Sequence, residues 1–171
     1  KTHFVKNLND REMLVKNLDI IPVEVVLRNV AAGSLCKRLG IEEGRVFEEQ
    51  PILEFFYKSD PLGDPMINEC HVDIFGWATK EEVEILKSEG LKINKLMVEF
   101  FKERKIRLVD FKVEFGRHKG QEVLLGDEIS PDGCRLWDWE TNEKMDKDRF
   151  RFNLGSVEEK YQEVYDLICA P

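Results

Sequence analysis

The sequence is poor in the residues that bind structural metal ions or form disulfides. It contains four cysteines and three histidines in 171 residues, and no two cysteines form a CxxC pair. Structural zinc sites need closely spaced Cys and His ligands, so we do not expect one here. Scattered cysteines are typical of reduced thiols, and we therefore expect a cytoplasmic protein.

Two further classes of protein are disfavoured by what the chain lacks. No apolar run approaches the roughly 20 residues that span a membrane, so no membrane partner is expected. Positive charge is not in excess either, because the formal net charge is -8. A nucleic-acid-binding surface needs a basic face, so no nucleic-acid partner is expected. The charge still allows anionic small substrates, which a few local arginines and lysines can bind.

What the chain does contain predicts one ordinary α+β domain, or most of a larger one. Hydrophobic residues make up 42% of the sequence, enough to fill a core. A capping box at Thr79 and Glu82 begins a helix that continues to about residue 104, and a last helix begins near Ser156. Segments rich in Val, Ile and Phe predict strands at 19–30, 52–59, 106–115 and 122–129. Strands and helices are mixed without a βαβ rhythm, which favours α+β.

The segment LVDFKVEFG, residues 108–116, alternates charged and apolar residues. In a strand, Asp110, Lys112 and Glu114 point to one face. Folding the hairpin about the middle of its predicted turn places Asp110 opposite Asp127, so the carboxylates would gather around Lys112. Mg²⁺ binds one or two such carboxylates together with nucleotide phosphates. The short pattern alone nevertheless favours a solvated strand face.

A second group of residues suits a phosphate. Arg28 ends a strand, and Gly33 with Ser34 begins a short predicted helix in which Ser34 is the expected N-cap. Arg28 can bind a phosphate with two N–H groups, and Arg135 follows a tight turn after the hairpin. Taken singly, these residues are more simply interpreted as a helix cap and surface arginines. Residues 147–149 are interpreted as a charged surface turn.

Longer segments, taken together, resemble the bacterial phosphoribosylaminoimidazole-succinocarboxamide synthases, or SAICAR synthetases, of purine biosynthesis. The segments are IIPVEVVLRNVAAGS (20–34), LGDPMINE (62–69), LVDFKVEFG (108–116) and LGDEISPDGCRLWD (125–138). The likeness extends from THF at residues 2–4 through MDKDRFR at 145–151. Long motifs in the same order are far more specific than the short patterns. We therefore prefer the functional interpretation of these residues to that of a solvated strand face, a helix cap and surface arginines.

The resemblance implies an ATP-dependent ligase. Family members join L-aspartate to carboxyaminoimidazole ribotide (CAIR) and split ATP to ADP and phosphate with Mg²⁺, through an acyl phosphate. It also implies an α+β fold with a mainly antiparallel sheet flanked by helices and a nucleotide cleft similar to that of kinases. A homodimer acting on these small molecules is expected.

The resemblance further implies roles for single residues around the metal ion and the nucleotide. Glu114 and Asp127 resemble the metal carboxylates, and Lys112 resembles the lysine that faces the phosphates. Leu18 and Ile20 would line the adenine pocket, next to a hinge whose backbone holds the base.

The substrate residues follow in the same way. Arg28, Ser34 and Arg135 resemble the residues that bind the 5′-phosphate of the ribotide. Asp110 resembles an acid that orients the substrate, and Asp64 is expected to contact the imidazole.

Two departures from the family pattern matter. Family members carry an N-terminal lobe with a phosphate-covering loop ahead of THF, and residues 1–171 correspond to the central and C-terminal part without it. We therefore expect weak or no turnover from these residues alone. The turn segment HKGQEVLLGD is also one residue longer than usual, which bears on the register of Asp127.

Two other functions are kept as alternatives. Inositol-polyphosphate kinases have a related fold and a D-x-K strand, and they would phosphorylate a hydroxyl group instead of a carboxylate. A non-catalytic module for nucleotide binding or assembly is the other alternative, favoured by the missing lobe.

Overall fold

The computed structural model describes residues 1–169 and has the expected mixed order of strands and helices. The strands are β1 (Phe4–Asn9), β2 (Glu12–Val15), β3 (Asp19–Arg28), β4 (Ile52–Tyr57), β5 (Met66–Ile67), β6 (Ile106–His118), β7 (Glu122–Leu125) and β8 (Cys134–Asp138). The helices are α1 (Ser34–Leu39), α2 (Glu69–Ile74), α3 (Lys80–Glu103), α4 (Asp148–Arg151) and α5 (Val157–Cys169), with a 3₁₀ turn at Asp60–Leu62. Within residues 1–169 no helix combines the length and the apolar character needed to cross a membrane.

The strands form two sheets. The larger has the order β5-β4-β3-β6-β7 with β8 also paired to β6, and β1 and β2 form a separate hairpin. The pairings of β4 with β5, and of β6 with β7 and with β8, are antiparallel. Strand β3 has neighbours on both edges and is buried over most of its length, which explains its nearly continuous apolar run. The predicted α+β class with a mainly antiparallel sheet is confirmed.

The chain divides into two compact units, which are described separately. Unit 1 comprises Lys1–Val26, Glu54–Gly90 and Val113–Glu128. Unit 2 comprises Leu27–Leu53, Leu91–Lys112 and the described residues from Ile129 onward. The core of unit 1 includes Ile21, Val23, Leu86, Val113, Phe115 and Leu124. The core of unit 2 includes Leu27, Leu35, Ile106, Phe111, Leu136 and Met145.

The two helix starts predicted from capping residues differ in outcome. The capping box before α3 is confirmed: the Glu82 N–H donates to Thr79 Oγ1 at 3.2 Å, and the Thr79 N–H donates to Glu82 Oε2 at 2.8 Å. The prediction of Ser34 as an N-cap is wrong, because Gly33 caps α1 and Ser34 is its first residue. The Ser34 hydroxyl is consequently available to other partners.

The β6–β7 hairpin has a different register from the predicted one. Phe115 pairs with Leu125, and the turn contains Lys119 and Gly120 with φ of 52° and 72°. Two consecutive positive φ values define the turn whose twist matches that of antiparallel strands. Strand β6 therefore extends to His118, three residues beyond the predicted strand 106–115.

This register makes the predicted opposition of Asp110 and Asp127 wrong. Asp110 pairs with Arg135 on β8, and β7 ends at Leu125, before Asp127. The pairing of Phe115 with Leu125 centres the hairpin about one and a half residues further along the chain than predicted, which shifts the opposing residue by three positions. Sequence spacing alone does not determine the turn.

Candidate active site

A buried carboxylate in unit 2 lies between two arginines. Arg28 Nη1 donates to Asp110 Oδ2 at 2.7 Å, and Arg135 Nη1 donates to Asp110 Oδ1 and Oδ2 at 3.0 and 2.9 Å. Asp110 is 4% exposed, and this burial raises its pKa although the two guanidinium groups act in the opposite direction. The structure thus brings together three of the predicted substrate residues.

Asp148 holds the other edge of Arg135. Arg135 Nε donates to Asp148 Oδ2 at 2.7 Å, and Arg151 Nη1 donates to Asp148 Oδ1 at 2.8 Å. Burial opposes the charge of Arg135, but Asp110 and Asp148 outweigh it and raise the pKa of the guanidinium. The interpretation of residues 147–149 as a charged surface turn is wrong for Asp148 and Arg149, which are buried.

Asp146 fixes the position of Asp148. Its carboxylate accepts hydrogen bonds from the backbone N–H groups of Leu136 and Asp148, both at 2.8 Å. Burial raises the pKa of Asp146 to about 6. Because Leu136 belongs to β8, this carboxylate ties the start of α4 to the strand that carries Arg135.

Gly33 and Ser34 lie against the same two arginines. Arg28 Nη2 donates to Ser34 Oγ at 3.3 Å. A Cβ added to Gly33 would lie 2.5 Å from Arg135 Nη2, and its φ of +57° also favours glycine. Only a residue without a side chain lets the Arg135 guanidinium pack this closely on the backbone. We name Arg28, Asp110, Arg135 and Asp148 the arginine–aspartate cluster.

Glu114, in unit 1, has a partner that the sequence analysis missed. Lys58 Nζ donates to Glu114 Oε1 at 2.7 Å, and Glu114 is 8% exposed. The available signal was a single lysine directly after the apolar strand β4. Asp127 follows Gly126, whose N–H donates to the Glu114 carbonyl at 2.9 Å, so the two acidic residues lie at neighbouring positions of unit 1.

The metal role of Glu114 and Asp127 stays a prediction. No group of three or more His, Cys, Asp or Glu side chains in residues 1–169 is arranged to hold a metal ion. Asp110 does not join Glu114 and Asp127 in such a group, and it binds arginines instead. Two carboxylates are nevertheless enough for Mg²⁺, which fills its remaining positions with phosphate oxygens and water.

Leu18 and Ile20 pack on two glycines of unit 1. A Cβ on Gly116 would lie 2.8 Å from Leu18 Cβ and 3.1 Å from Ile20 Cδ1, and one on Gly126 would lie 2.8 Å from Leu18 Cδ1. Ile20 is 36% exposed, so these residues present an apolar surface. Such a surface suits the flat face of a base, and their adenine role stays a prediction.

The other two predicted residues have defined positions but untested roles. Asp64 has a φ of 46°, and its Oδ1 accepts the Ser59 N–H at 2.8 Å, which holds the loop after β4. Lys112 is half-buried on β6, and its N–H donates to the Gly133 carbonyl at 3.0 Å.

Comparison with known sequences supplies the relatives of this chain. The family model described as SAICAR synthetase matches residues 1–168. The phosphoribosylaminoimidazole-succinocarboxamide synthase of Pelodictyon phaeoclathratiforme is 62% identical over 164 residues, which cover 96% of this chain and 69% of the relative. The synthase of Cellvibrio japonicus is 61% identical over 161 residues, covering 94% of this chain and 67% of the relative.

Solved structures of SAICAR synthetases are also similar to this chain. The Ehrlichia chaffeensis phosphoribosylaminoimidazole-succinocarboxamide synthase has a TM-score of 0.95 at 52% identity and covers 100% of this chain and 73% of its own. A SAICAR synthetase in complex with ADP has a TM-score of 0.95 at 44% identity, and the match covers 100% of this chain and 72% of that synthetase.

The α+β fold and these relatives define an ATP-dependent ligase. The class can be stated more narrowly, because the family model and the relatives agree over nearly the whole chain. The chain belongs to the SAICAR synthetase family. The family predicted from the ordered sequence segments is thereby confirmed.

Proposed function

We propose that this chain joins L-aspartate to CAIR to give SAICAR, with ATP split to ADP and phosphate, in de novo purine biosynthesis. Family membership supports the reaction. The observation that carries the substrate assignment is the convergence of Arg28, Ser34 and Arg135, since a hydroxyl and two guanidinium groups are suited to a phosphate monoester. A cytoplasmic homodimer is part of the same proposal, and sedimentation would test its oligomeric state.

The ribotide phosphate is assigned to Ser34 and the two arginines. The Arg28 side chain is 4% exposed and that of Arg135 is 19% exposed, so both are held by their surroundings. Asp110 orients the substrate by holding both guanidinium groups in place. Asp64 is assigned to the imidazole, on a loop that its own carboxylate stabilises.

The nucleotide is assigned to five residues, which are Leu18, Ile20, Lys112, Glu114 and Asp127. Leu18 and Ile20 contact the adenine, while Glu114 and Asp127 hold Mg²⁺ and Lys112 faces the phosphates. Glu114 and Asp127 would hold Mg²⁺ there, and the ion would supply positive charge to the phosphoryl group that is transferred. Lys58 offsets the Glu114 charge through their ion pair.

The chemistry proceeds in two steps. A carboxylate oxygen of CAIR bonds to the γ-phosphorus while the bond to the ADP oxygen breaks, which gives an acyl phosphate. The aspartate amine then attacks the acyl carbon, inorganic phosphate leaves, and the nitrogen loses a proton. The residues named above bind and orient the reactants, which removes much of the entropy cost of their encounter.

The test combines turnover with binding. The chain is incubated with Mg·ATP, CAIR and L-aspartate, and SAICAR and ADP are measured, with inositol phosphates as control substrates. Because residues 1–171 are expected to turn over weakly, binding of Mg·ATP and of CAIR is measured by calorimetry as well. We expect both ligands to bind. Binding of neither would contradict the proposal, and phosphorylation of inositol phosphates would favour the kinase alternative.

A further inference from the structure

A second arginine, Arg38, contacts the Ser34 hydroxyl. Arg38 Nη1 donates to Ser34 Oγ at 3.1 Å, and Arg28 Nη2 donates to the same oxygen at 3.3 Å. Arg135 packs on the adjacent Gly33 backbone. Guanidinium groups from three parts of unit 2 therefore surround residues 33 and 34.

Helix α1 holds Arg38 in this position. Ser34 and Arg38 are four residues apart, so they lie on the same face of the helix. Leu35 is 1% exposed and anchors the helix in the core of unit 2, while Ser34 and Arg38 are exposed. Gly40, in the left-handed conformation, ends the helix directly afterwards. The Arg38 side chain is thus directed along a short, anchored helix toward Ser34.

The charges of the group suit a dianion. Asp110 and Asp148 bind three of the arginines, and the four arginines and two aspartates together carry a formal charge of +2. The six side chains, joined directly or through Ser34, are Arg28, Arg38, Arg135, Arg151, Asp110 and Asp148. A phosphate monoester carries about -1.5 to -2 at pH 7 and so matches this charge, in a chain whose net charge is -8.

We propose that Arg38 is a third guanidinium ligand of the phosphate that binds at Ser34. The inference rests on the proposed function, because it takes the substrate to be a ribose 5-phosphate derivative. Arg28 and Arg135 form the buried side of the site, and Arg38 forms its exposed side. Arg38 therefore selects for the phosphorylated ligand and contributes to its affinity.

The test compares Arg38→Ala and Arg38→Lys with Lys37→Ala. Lys37 is the matched control, since it lies on the same helix and is exposed, and its replacement by alanine removes the same charge. Calorimetry uses ribose 5-phosphate as the probe, ribose as the ligand without phosphate, and Mg·ADP as the ligand of the other site. We expect Arg38→Ala to raise the Kd of ribose 5-phosphate about tenfold, and Lys37→Ala to change it less than twofold. Arg38→Lys is expected to lie between, because it keeps the charge but loses the planar fork.

Each other outcome overturns the inference. Equal losses in Arg38→Ala and Lys37→Ala would mean a general charge effect, and an unchanged Kd in Arg38→Ala would mean no contact. Failure of the unaltered chain to bind ribose 5-phosphate would remove the phosphate site itself. Binding of Mg·ATP and of CAIR by the unaltered chain is measured independently, so a failed inference about Arg38 is distinguishable from a failed function. Circular dichroism and an unchanged Kd for Mg·ADP verify that the variants are folded.

Discussion

Replacing Asp110 by asparagine removes the negative charge that lies between Arg28 and Arg135. The carboxylate accepts three hydrogen bonds from the two guanidinium groups at 2.7 to 3.0 Å. An asparagine keeps one acceptor oxygen, but its NH₂ group would face an arginine N–H. Arg135 retains Asp148, whereas Arg28 loses a buried ion pair whose two side chains are 4% and 5% exposed.

The size of the effect follows from this burial. Removal of one partner from a buried ion pair typically destabilises a protein by about 3–5 kcal/mol, because the remaining charge is left uncompensated. We expect a loss of that order in the free energy of unfolding, which is large beside the roughly 5–15 kcal/mol of a whole domain. Phosphate ions should stabilise Asp110→Asn more than the unaltered chain, since an anion replaces part of the lost charge.

Urea unfolding followed by tryptophan fluorescence measures the effect. The control is Asp73→Asn, whose ion pair with Lys80 spans 3.7 Å between exposed side chains and should contribute about 0–1 kcal/mol. If Asp110→Asn also lost less than about 1 kcal/mol at pH 7, the reasoning would be refuted. The carboxyl group would then be neutral in the folded protein, as an extreme rise of its pKa on burial would make it.

Three further predictions concern unit 1 and the pH dependence of stability. Gly116→Ala places a Cβ 2.8 Å from Leu18 Cβ, so we expect a loss of about 1–3 kcal/mol in unfolding free energy and weaker ADP binding by calorimetry. Glu114→Gln should raise the Kd of Mg·ADP at least about tenfold without affecting ADP binding in EDTA, as expected for a carboxylate that acts through the metal ion. The pKa of Asp146 is raised from 3.8 to about 6 in the folded state, so the folded chain binds more protons between these values. The contribution of Asp146 to stability is therefore present below about pH 4 and is lost as the pH rises through about 6. The unfolding free energy of the unaltered chain should fall by up to about 3 kcal/mol between pH 4 and pH 7 because of Asp146, and Asp146→Asn should remove this fall. Urea unfolding of both proteins at the two pH values measures the effect. An identical pH dependence in both proteins would contradict the prediction.

Two local features were predictable from the sequence, although the N-cap predicted at Ser34 was wrong, and the partner of Glu114, distant along the chain, was not predictable. The capping box of α3 depends on residues three positions apart, and the β3 strand depends on a continuous apolar run; both were found. Lys58 and Glu114 are 56 positions apart, and no pattern in either segment identifies the other. Their pairing depends on how the strands assemble.

The predicted site residues show the same division. Grouping Arg28, Ser34 and Arg135 came from ordered motifs, whereas the position of Asp110 among them depended on strand pairing. The short pattern suggested a carboxylate facing a metal ion, but the strand that lies beside β6 at this point is β8, which carries Arg135. Strand β7 ends at Leu125, before it reaches Asp110, so the partner of Asp110 comes from β8 and is an arginine instead of Asp127.

The carboxylates of the arginine–aspartate cluster have a consequence for ligand affinity. Asp110 and Asp148 already restrict the rotamers of Arg28 and Arg135 before any anion arrives. Immobilising a flexible side chain on binding costs about 0.5–1.5 kcal/mol. Two arginines restricted in advance therefore lower the free-energy cost of binding a phosphate by about 1–3 kcal/mol. Folding, through the two aspartates, thus supplies the preorganisation that the proposed phosphate site requires.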